Sequence, residues 1–148
     1  MPISSLPSPY GIGTLGKTAY DWINFLKESG QSWWQILPLG PTSYGDSPYQ
    51  SFSSAAGNPY LIDLDMLIEE GLLEKKDLSG INWGENPERV DYGAIFNSRF
   101  SVLHKAYLKG KDTMKEEFED FREENEEWVE DYALFMSLKK HFDMKSWL

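Results

Sequence analysis

The sequence predicts an α/β fold, and three patterns support that class. Apolar residues recur at helical spacing over residues 17–28. The apolar run at residues 32–39 lies between Gly30 and Gly40, as a short buried strand does. Helical spacing then returns through the second half of the chain. The 148 residues, of which 41% are hydrophobic, suffice for a core in one domain of ordinary size.

The first predicted helix covers residues 17–28 and carries one apolar stripe. Gly30 suits its C-terminal end, because glycine readily adopts the left-handed conformation that closes many helices. The strand predicted at residues 32–39 should end near Pro38, since proline has no N–H to donate to a ladder. The stripe consists of Ala19, Trp22, Ile23 and Leu26.

The region at residues 40–59 has no hydrophobic period and is predicted to be a loop. A loop of this length in a compact domain is usually functional or disordered, and its aromatic residues favour a function. After it we expect a short strand at residues 60–63. A brief helix should follow, capped by Asp65 and ended by Gly71.

The second half of the chain is predicted to be mostly helical, after a loop at residues 79–91. One apolar stripe begins at Ile95 or Phe96, and its helix is expected to end at Gly110. A second stripe, from Trp128 to Lys139, predicts a last helix. The first stripe contains Phe100, Leu103 and Tyr107, and the second contains Trp128, Tyr132, Phe135 and Met136.

The chain is strongly acidic, with 24 acidic and 14 basic residues and a formal charge of −10. Eleven of the acidic residues lie within residues 111–131, where they predict a solvated helix face. Met114, Phe118 and Phe121 keep helical spacing there and predict that one side of the helix faces a core. An acidic surplus argues against binding to nucleic acid and against docking on an anionic membrane.

The chain has no cysteine, which excludes disulfides, thiolate zinc sites and thiol catalysis. Because this composition fits a reducing compartment and residues 1–5 do not resemble a signal peptide, we expect a cytoplasmic protein. His104 and His141 lie on separate predicted helices without a second histidine at metal-binding spacing, so a zinc site is not expected. No Gly-x-Ser-x-Gly elbow indicates a serine hydrolase.

Residues 11–18 match the pattern of a phosphate-binding loop, two glycines separated by four residues and followed by Lys17 and Thr18. Backbone N–H groups would then cradle phosphates, with Lys17 on the outer phosphates and Thr18 on Mg²⁺. Such a loop must leave the end of an apolar strand, whereas Pro7 and Pro9 break a strand here. The other interpretation is a glycine-rich turn that opens a helix.

The long loop joins aromatic faces to short hydrogen-bonding side chains. The chain as a whole has six Trp, eight Tyr and eight Phe, more rings than core packing usually needs. Sugars stack their C–H faces on aromatic rings and need fixed donors and acceptors for their hydroxyls. Tyr44 and Tyr49, among the serines and threonine of residues 41–51, therefore favour carbohydrate binding. A surface loop with incidental aromatic residues is the alternative.

At this loop the sequence resembles a known family. Leu-Pro-Leu-Gly-Pro-Thr at residues 37–42 and Tyr-Gly-Asp-Ser-Pro-Tyr-Gln-Ser-Phe-Ser at residues 44–53 are similar to the signature of the 4-α-glucanotransferases. These are the amylomaltases, or disproportionating enzymes, of glycoside hydrolase family 77. Further similar segments lie at residues 4–13, 57–63, 89–92 and 130–136, so the resemblance covers nearly the whole chain.

The resemblance implies an incomplete (β/α)₈ TIM barrel with a mostly helical insertion. Residues 1–63 would be the N-terminal part of the barrel, with its first helix, its second strand at residues 32–39 and the loop that follows. Residues 64–148 would be a helical insertion between the second and third strands. Since the family's catalytic carboxylates lie on later strands, the resemblance makes this chain an N-terminal fragment. It assigns the chain no catalytic residue, no metal and no cofactor.

The resemblance also implies substrate-binding residues in and near the loop. Tyr49 would stack on a glucose at the catalytic centre, and Ser47 would touch the bound glucan. Tyr44 would belong to an outer glucan-binding patch, with Phe96 at the position of its aromatic partner. Asp46 would be a further substrate-binding residue, or would only hold the loop. The implied ligand is an α-1,4-glucan or a maltooligosaccharide.

The implied activity transfers α-1,4-glucan segments between maltooligosaccharides by a retaining double displacement. We expect the 148-residue chain to be inactive alone and to self-associate through exposed strand edges near Trp33 and Trp34. Two alternative functions stay open: a stand-alone glucan-binding or interaction module without catalysis, and a nucleotide-binding protein that uses residues 11–18.

Overall fold

A computed structural model describes residues 1–145 of the chain. This part contains five α-helices and three short 3₁₀ turns. The last three residues of the predicted insertion lie outside this range. The helices are α1 (Lys17–Glu28), α2 (Leu64–Glu69), α3 (Tyr92–Gly110), α4 (Lys115–Glu124) and α5 (Val129–His141). The 3₁₀ turns are Ile3–Ser5, Pro59–Leu61 and Lys75–Leu78.

The first helix, α1, has the bounds predicted from its apolar stripe, and Gly30 follows its end at a φ of +74°. Ala19 anchors the inner side of α1 by packing on Ile3 of the N-terminal segment. Trp22 makes an edge-to-face contact with Trp34, with ring centroids 6.4 Å apart. These contacts hold the start of the extended segment that follows α1.

The strand predicted at residues 32–39 is wrong. These residues are extended, but no β-strand or ladder occurs within residues 1–145. A strand exists only through hydrogen bonds to a neighbouring strand, so an apolar run without one stays an isolated extended segment. The Trp34 indole donates to the Met1 carbonyl at 2.8 Å, and the Asn58 N–H donates to the Leu39 carbonyl at 2.7 Å.

The short strand predicted at residues 60–63 is wrong as well, because Pro59–Leu61 forms a 3₁₀ turn. The side chain of Asn58 starts this turn by accepting a hydrogen bond from the Tyr60 N–H at 2.9 Å. With both predicted strands absent from the described residues, the α/β class and the incomplete barrel are overturned. The described chain is all-helical.

The helix α2 is capped by Asp63, not by Asp65 as predicted. Oδ1 of Asp63 accepts a hydrogen bond from the Met66 N–H at 2.9 Å, which satisfies a free donor of the first turn. Asp65 lies inside that turn, and its carboxylate accepts a hydrogen bond from the Tyr10 hydroxyl at 2.6 Å. Gly71 lies just beyond the helix at a φ of +76°.

The longest helix, α3, crosses the core and ends at Gly110 as predicted. Asp91 caps it, since its Oδ1 accepts a hydrogen bond from the Ala94 N–H at 2.9 Å. The buried face of α3 includes Ile95 and not Phe96. The side chain of Phe96 is therefore exposed, as are those of Phe100 and Tyr107. The buried residues are Ile95, Arg99, Val102, Ala106 and Gly110.

The acidic stretch forms two helices, α4 and α5, separated by a turn at residues 125–128. Neither helix has a fully buried residue. Met114, Phe118 and Phe121 are 43%, 52% and 45% exposed, so the prediction that they face a core is wrong. The density of acidic residues leaves α4 no wide apolar face to bury.

Residues on both sides of the predicted boundary at residue 64 share the same core clusters. Ile12 and Tyr60 form a buried cluster with Ile95 of α3, and Tyr10 packs on the cluster that contains Val102. The division into two domains stays a prediction. No helix within residues 1–145 has the combined length and apolar character that a membrane span requires.

Candidate functional site

A cavity of about 820 Å³ lies between the end of the extended segment and the long loop. Tyr49 lies on this cavity and is 74% exposed, so its ring is accessible to a ligand. The lining offers apolar surface, serine hydroxyls and backbone groups, and it contains no charged side chain. The lining residues are Pro38, Leu39, Gly40, Pro48, Tyr49 and residues 51–57.

Close backbone contacts hold the two walls of this cavity together. The Asn58 N–H donates to the Leu39 carbonyl at 2.7 Å, which joins the end of the loop to the extended segment. Gly40 lies so close to Ser51 that a Cβ on Gly40 would stand 2.4 Å from the Ser51 Oγ. The Ser51 hydroxyl donates to the Ser53 carbonyl at 2.7 Å. A side chain at position 40 would therefore require Ser51 to move.

Asp46 lines a second and smaller cavity of about 70 Å³. Its φ is +55°, after Gly45 at +94°, in a turn that glycine and short polar residues tolerate. The carboxylate accepts a long hydrogen bond from the Thr42 hydroxyl at 3.4 Å. Burial raises the pKa of Asp46, and the bond from Thr42 opposes that rise. The loop-holding role of Asp46 stays a prediction, with Thr42 as its observed partner.

The other predicted site residues, Tyr44, Ser47 and Phe96, line neither cavity. Tyr44 is fully exposed, and Phe96 is 48% exposed on α3. Ser47 is half-buried, and its carbonyl accepts the Gln50 N–H at 3.1 Å to close a turn around Tyr49. The structure thus brings Tyr49 to the large cavity and leaves these three outside it. Glucan contacts by all of them stay predictions.

The contact between α5 and the loop is not predicted by any pattern in the sequence. The Phe52 ring stacks on Tyr132, with centroids 6.4 Å apart and an interplanar angle of 15°. It also lies 5.5 Å from the Phe135 ring. Helical spacing placed Tyr132 and Phe135 on one face of a helix, but no pattern in the sequence indicates that the loop covers that face.

The buried arginine Arg99 was missed too, because a single arginine within an apolar stripe usually lies at the surface. Its Nη2 donates to the Ile62 carbonyl, while Nε and Nη1 are buried without a hydrogen-bond partner among the described residues. Burial lowers the pKa of Arg99 to about 10, and the negative Asp63 opposes that shift. Arg99 anchors the segment that joins the cavity to α2.

The glycine-rich loop at residues 11–18 is packed against a carboxylate. A Cβ on Gly16 would stand 2.0 Å from Oδ2 of Asp63, and the Thr14 hydroxyl donates to the same oxygen at 2.5 Å. A carboxylate in this position repels phosphate, so the geometry favours the glycine-rich turn over the nucleotide-binding loop. Within residues 1–145, no group of three or more acidic or histidine side chains is arranged to hold a metal ion.

The chain is similar to known proteins along its whole length. The sequence profile of the family described as 4-alpha-glucanotransferase matches residues 1–148. A 4-alpha-glucanotransferase of Clostridium butyricum is 55% identical over 99% of this chain, and one of Thermus thermophilus is 51% identical over 92% of it. The alignments cover 30% and 27% of those relatives, so the chain spans less than a third of their length.

A solved structure agrees with the profile. The amylomaltase from Streptococcus agalactiae in complex with acarbose matches with a TM-score of 0.94 and 49% sequence identity. The match covers 99% of this chain and 30% of that one. Since the profile accounts for every residue of the sequence, the chain belongs to the 4-alpha-glucanotransferase family.

Proposed function

We propose that this chain supplies glucan-binding surface to a 4-α-glucanotransferase that transfers α-1,4-glucan segments between maltooligosaccharides. The observation that carries the proposal is the cavity of about 820 Å³ with the exposed ring of Tyr49 on it. A pyranose presents a C–H face that stacks on such a ring and hydroxyls that require hydrogen-bonding partners. Ser51 and Ser53, which line the same cavity, offer such groups.

The ligand class is further supported by the structural neighbour, which was solved in complex with acarbose. In this proposal Tyr49 stacks on a glucose unit and Ser47 contacts the same glucan from the turn around Tyr49. Tyr44, fully exposed, contributes to a separate outer patch together with Phe96. Asp46 keeps the loop in its turn conformation through Thr42.

The transfer itself is proposed to need carboxylates that this chain does not provide. A retaining double displacement uses one carboxylate as nucleophile and a second carboxyl group as acid and then base. The lining of the large cavity contains no Asp or Glu, which supports a binding role without catalysis. Incubation of the chain with maltotriose should therefore release no glucose. Release of glucose in proportion to protein concentration would contradict this part of the proposal.

A stand-alone glucan-binding module is the second candidate, and the same cavity supports it. Calorimetric titration with maltoheptaose tests the feature that both candidates share, because each requires the chain to bind a glucan. If the chain does not bind maltoheptaose, both candidate functions are excluded. Adding the catalytic remainder of a relative separates them, since only the first candidate predicts that transfer activity returns when the two parts are combined.

We also infer that the chain self-associates through the extended segment at residues 32–39. Trp33 is 91% exposed there, and Ile36 and Leu37 expose more than a third of their surfaces. The predicted strand edges are absent from the described residues, so the inference rests on the contiguous exposed apolar side chains, which favour association. Sedimentation equilibrium should show dimers or larger species that a Trp33→Ser variant weakens. A concentration-independent monomer would contradict the inference.

A further inference from the structure

We propose that Tyr132 and Phe135 of α5 are positioning residues that hold the wall of the large cavity in place through Phe52. This inference rests on the proposed function, because the wall in question, residues 51–57, lines the same cavity as Tyr49. It adds a helix from the acidic half of the chain to the determinants of glucan binding.

The cavity wall is joined to the extended segment by the bond from the Asn58 N–H to the Leu39 carbonyl, so this support lies at one end of the wall. Residues 51–57 contain no helix, and their side-chain hydrogen bonds are local. The Ser51 hydroxyl donates to the Ser53 carbonyl at 2.7 Å, and the Ser53 hydroxyl accepts the Ala56 N–H at 3.0 Å. Hydrogen bonds of so short a range shape the turn, so the remaining support of the wall comes from packing, to which the buried Ala56 and the Phe52 ring contribute.

The Phe52 ring makes the contacts that link the wall to α5. Phe52 lines the cavity and also packs on both rings of α5, at 6.4 Å from Tyr132 and 5.5 Å from Phe135. The two α5 residues are three apart, so they lie on the same face of the helix. All three side chains are half-buried, as expected for rings that cover one another.

The ring contacts extend from α5 to α4. Tyr132 lies 6.1 Å from Trp128, and Trp128 lies 6.3 Å from Phe121. Since α5 has no fully buried residue, partly covered rings of this kind are among the contacts that dock it. The contacts of Phe52 with Tyr132 and Phe135 therefore join the cavity wall to this pair of helices.

Hydrogen exchange tests the proposal directly. The amides of Ala56 and Asn58 are hydrogen-bonded in the structure and report on the wall. In Tyr132→Ala we expect both amides to exchange faster by about tenfold, with amides of α1 and α3 unchanged. Tyr132→Phe keeps the ring and should exchange within about twofold of the wild type. The matched control is Phe118→Ala, which removes an exposed ring from α4 and should change nothing at the wall.

Three results would overturn the proposal. The first is unchanged exchange at the wall in Tyr132→Ala. The second is faster exchange of equal size throughout α1 and α3, which indicates general loss of stability. The third is amide exchange at the wall of Tyr132→Phe that is clearly faster than that of the wild type. Should Tyr132→Ala not fold, Phe135→Leu makes a smaller change at the same contact and should raise exchange at the wall by about threefold.

Glucan affinity gives the second measurement. Maltoheptaose should bind Tyr132→Ala about tenfold more weakly than the wild type, and Tyr132→Phe should bind it normally. Should the wild type bind no maltoheptaose, the proposed function fails, while the exchange rates still decide whether α5 positions the wall. Normal affinity in a Tyr132→Ala variant whose wall exchanges faster would show that the wall does not act on the ligand, and this too would overturn the proposal.

Discussion

The carboxylate of Asp63 accepts a hydrogen bond from the Thr14 hydroxyl, with 2.5 Å between Oδ2 and Oγ1. The other oxygen of Asp63 caps α2 through the Met66 N–H at 2.9 Å. One side chain thus joins the glycine-rich loop, the segment after the cavity and the start of α2. Gly16 leaves room for it, since any Cβ there would overlap the carboxylate.

Replacing Asp63 with alanine should destabilise the protein by about 2 kcal/mol, the sum of a lost helix cap and a lost side-chain hydrogen bond. Chemical denaturation measures this change. The matched control is Asp21→Ala, which removes an exposed partner of Lys17 and should cost less than about 1 kcal/mol. Equal stability of Asp63→Ala and the wild type would show that the three segments are held by other contacts.

Replacing the fully buried Arg99 with alanine should destabilise the protein by about 3 kcal/mol. The substitution leaves a cavity, removes the donor to the Ile62 carbonyl and takes away the positive charge near Asp63. Arg122→Ala is the control, because Arg122 pairs with Glu119 and Glu130 on the exposed surface and should matter much less. A similar denaturation midpoint for the two variants would argue against an anchoring role of Arg99.

Replacing Asp46 with asparagine should stabilise the protein at pH 7. Burial raises the pKa of Asp46 above its usual value of 3.8, so the folded state binds this proton more tightly than the unfolded state does. The contribution of Asp46 to stability is therefore lost as pH rises from 3.8 through the raised value. Asparagine keeps an acceptor for Thr42 and tolerates a φ of +55°.

The measurement for Asp46→Asn is the difference in melting temperature between variant and wild type across pH 3 to 7. We expect the advantage of the variant to be largest at pH 7 and to vanish below pH 3.8, where both side chains are neutral. An advantage that grows as the pH falls would have the opposite sign and would contradict the assignment.

Replacing Gly40 with alanine should cost about 1 to 3 kcal/mol, because the new Cβ would stand 2.4 Å from the Ser51 Oγ. Gly57→Ala is a matched control on the same cavity, since a Cβ there meets no atom within 4 Å. Thermal unfolding compares the two. Adding Ser51→Gly to Gly40→Ala should recover part of the loss, and no recovery would point to a different clash.

The helices were the part of the fold that the sequence could predict. The stripe around Ala19 and the stop at Gly110 are local signals, and both α1 and the end of α3 are confirmed. The strand at residues 32–39 was not predictable in the same way, because a ladder depends on a partner that the run itself does not encode. Asp63 and Asp65 are both suitable caps, and only the geometry selects Asp63.

The site could be predicted in part for the same reason. The resemblance of the loop motif predicts Tyr49 as a glucan contact, and the structure places Tyr49 on the large cavity, while the contact itself stays a prediction. The stack of Phe52 on Tyr132 joins residues far apart in the chain, and no periodic pattern encodes such a contact. Arg99 was hidden because its burial depends on how α3 meets the segment around Ile62.

The central claim is that the cavity at Tyr49 binds an α-1,4-glucan, and calorimetric titration with maltoheptaose tests it most directly. The wild type is compared with Tyr49→Ala and Tyr44→Ala. Each variant removes one exposed tyrosine side chain from the same loop. We predict measurable binding by the wild type, a loss of about tenfold or more in Tyr49→Ala and a smaller loss in Tyr44→Ala. Binding by Tyr49→Ala with wild-type affinity, or no binding by the wild type, would contradict the claim.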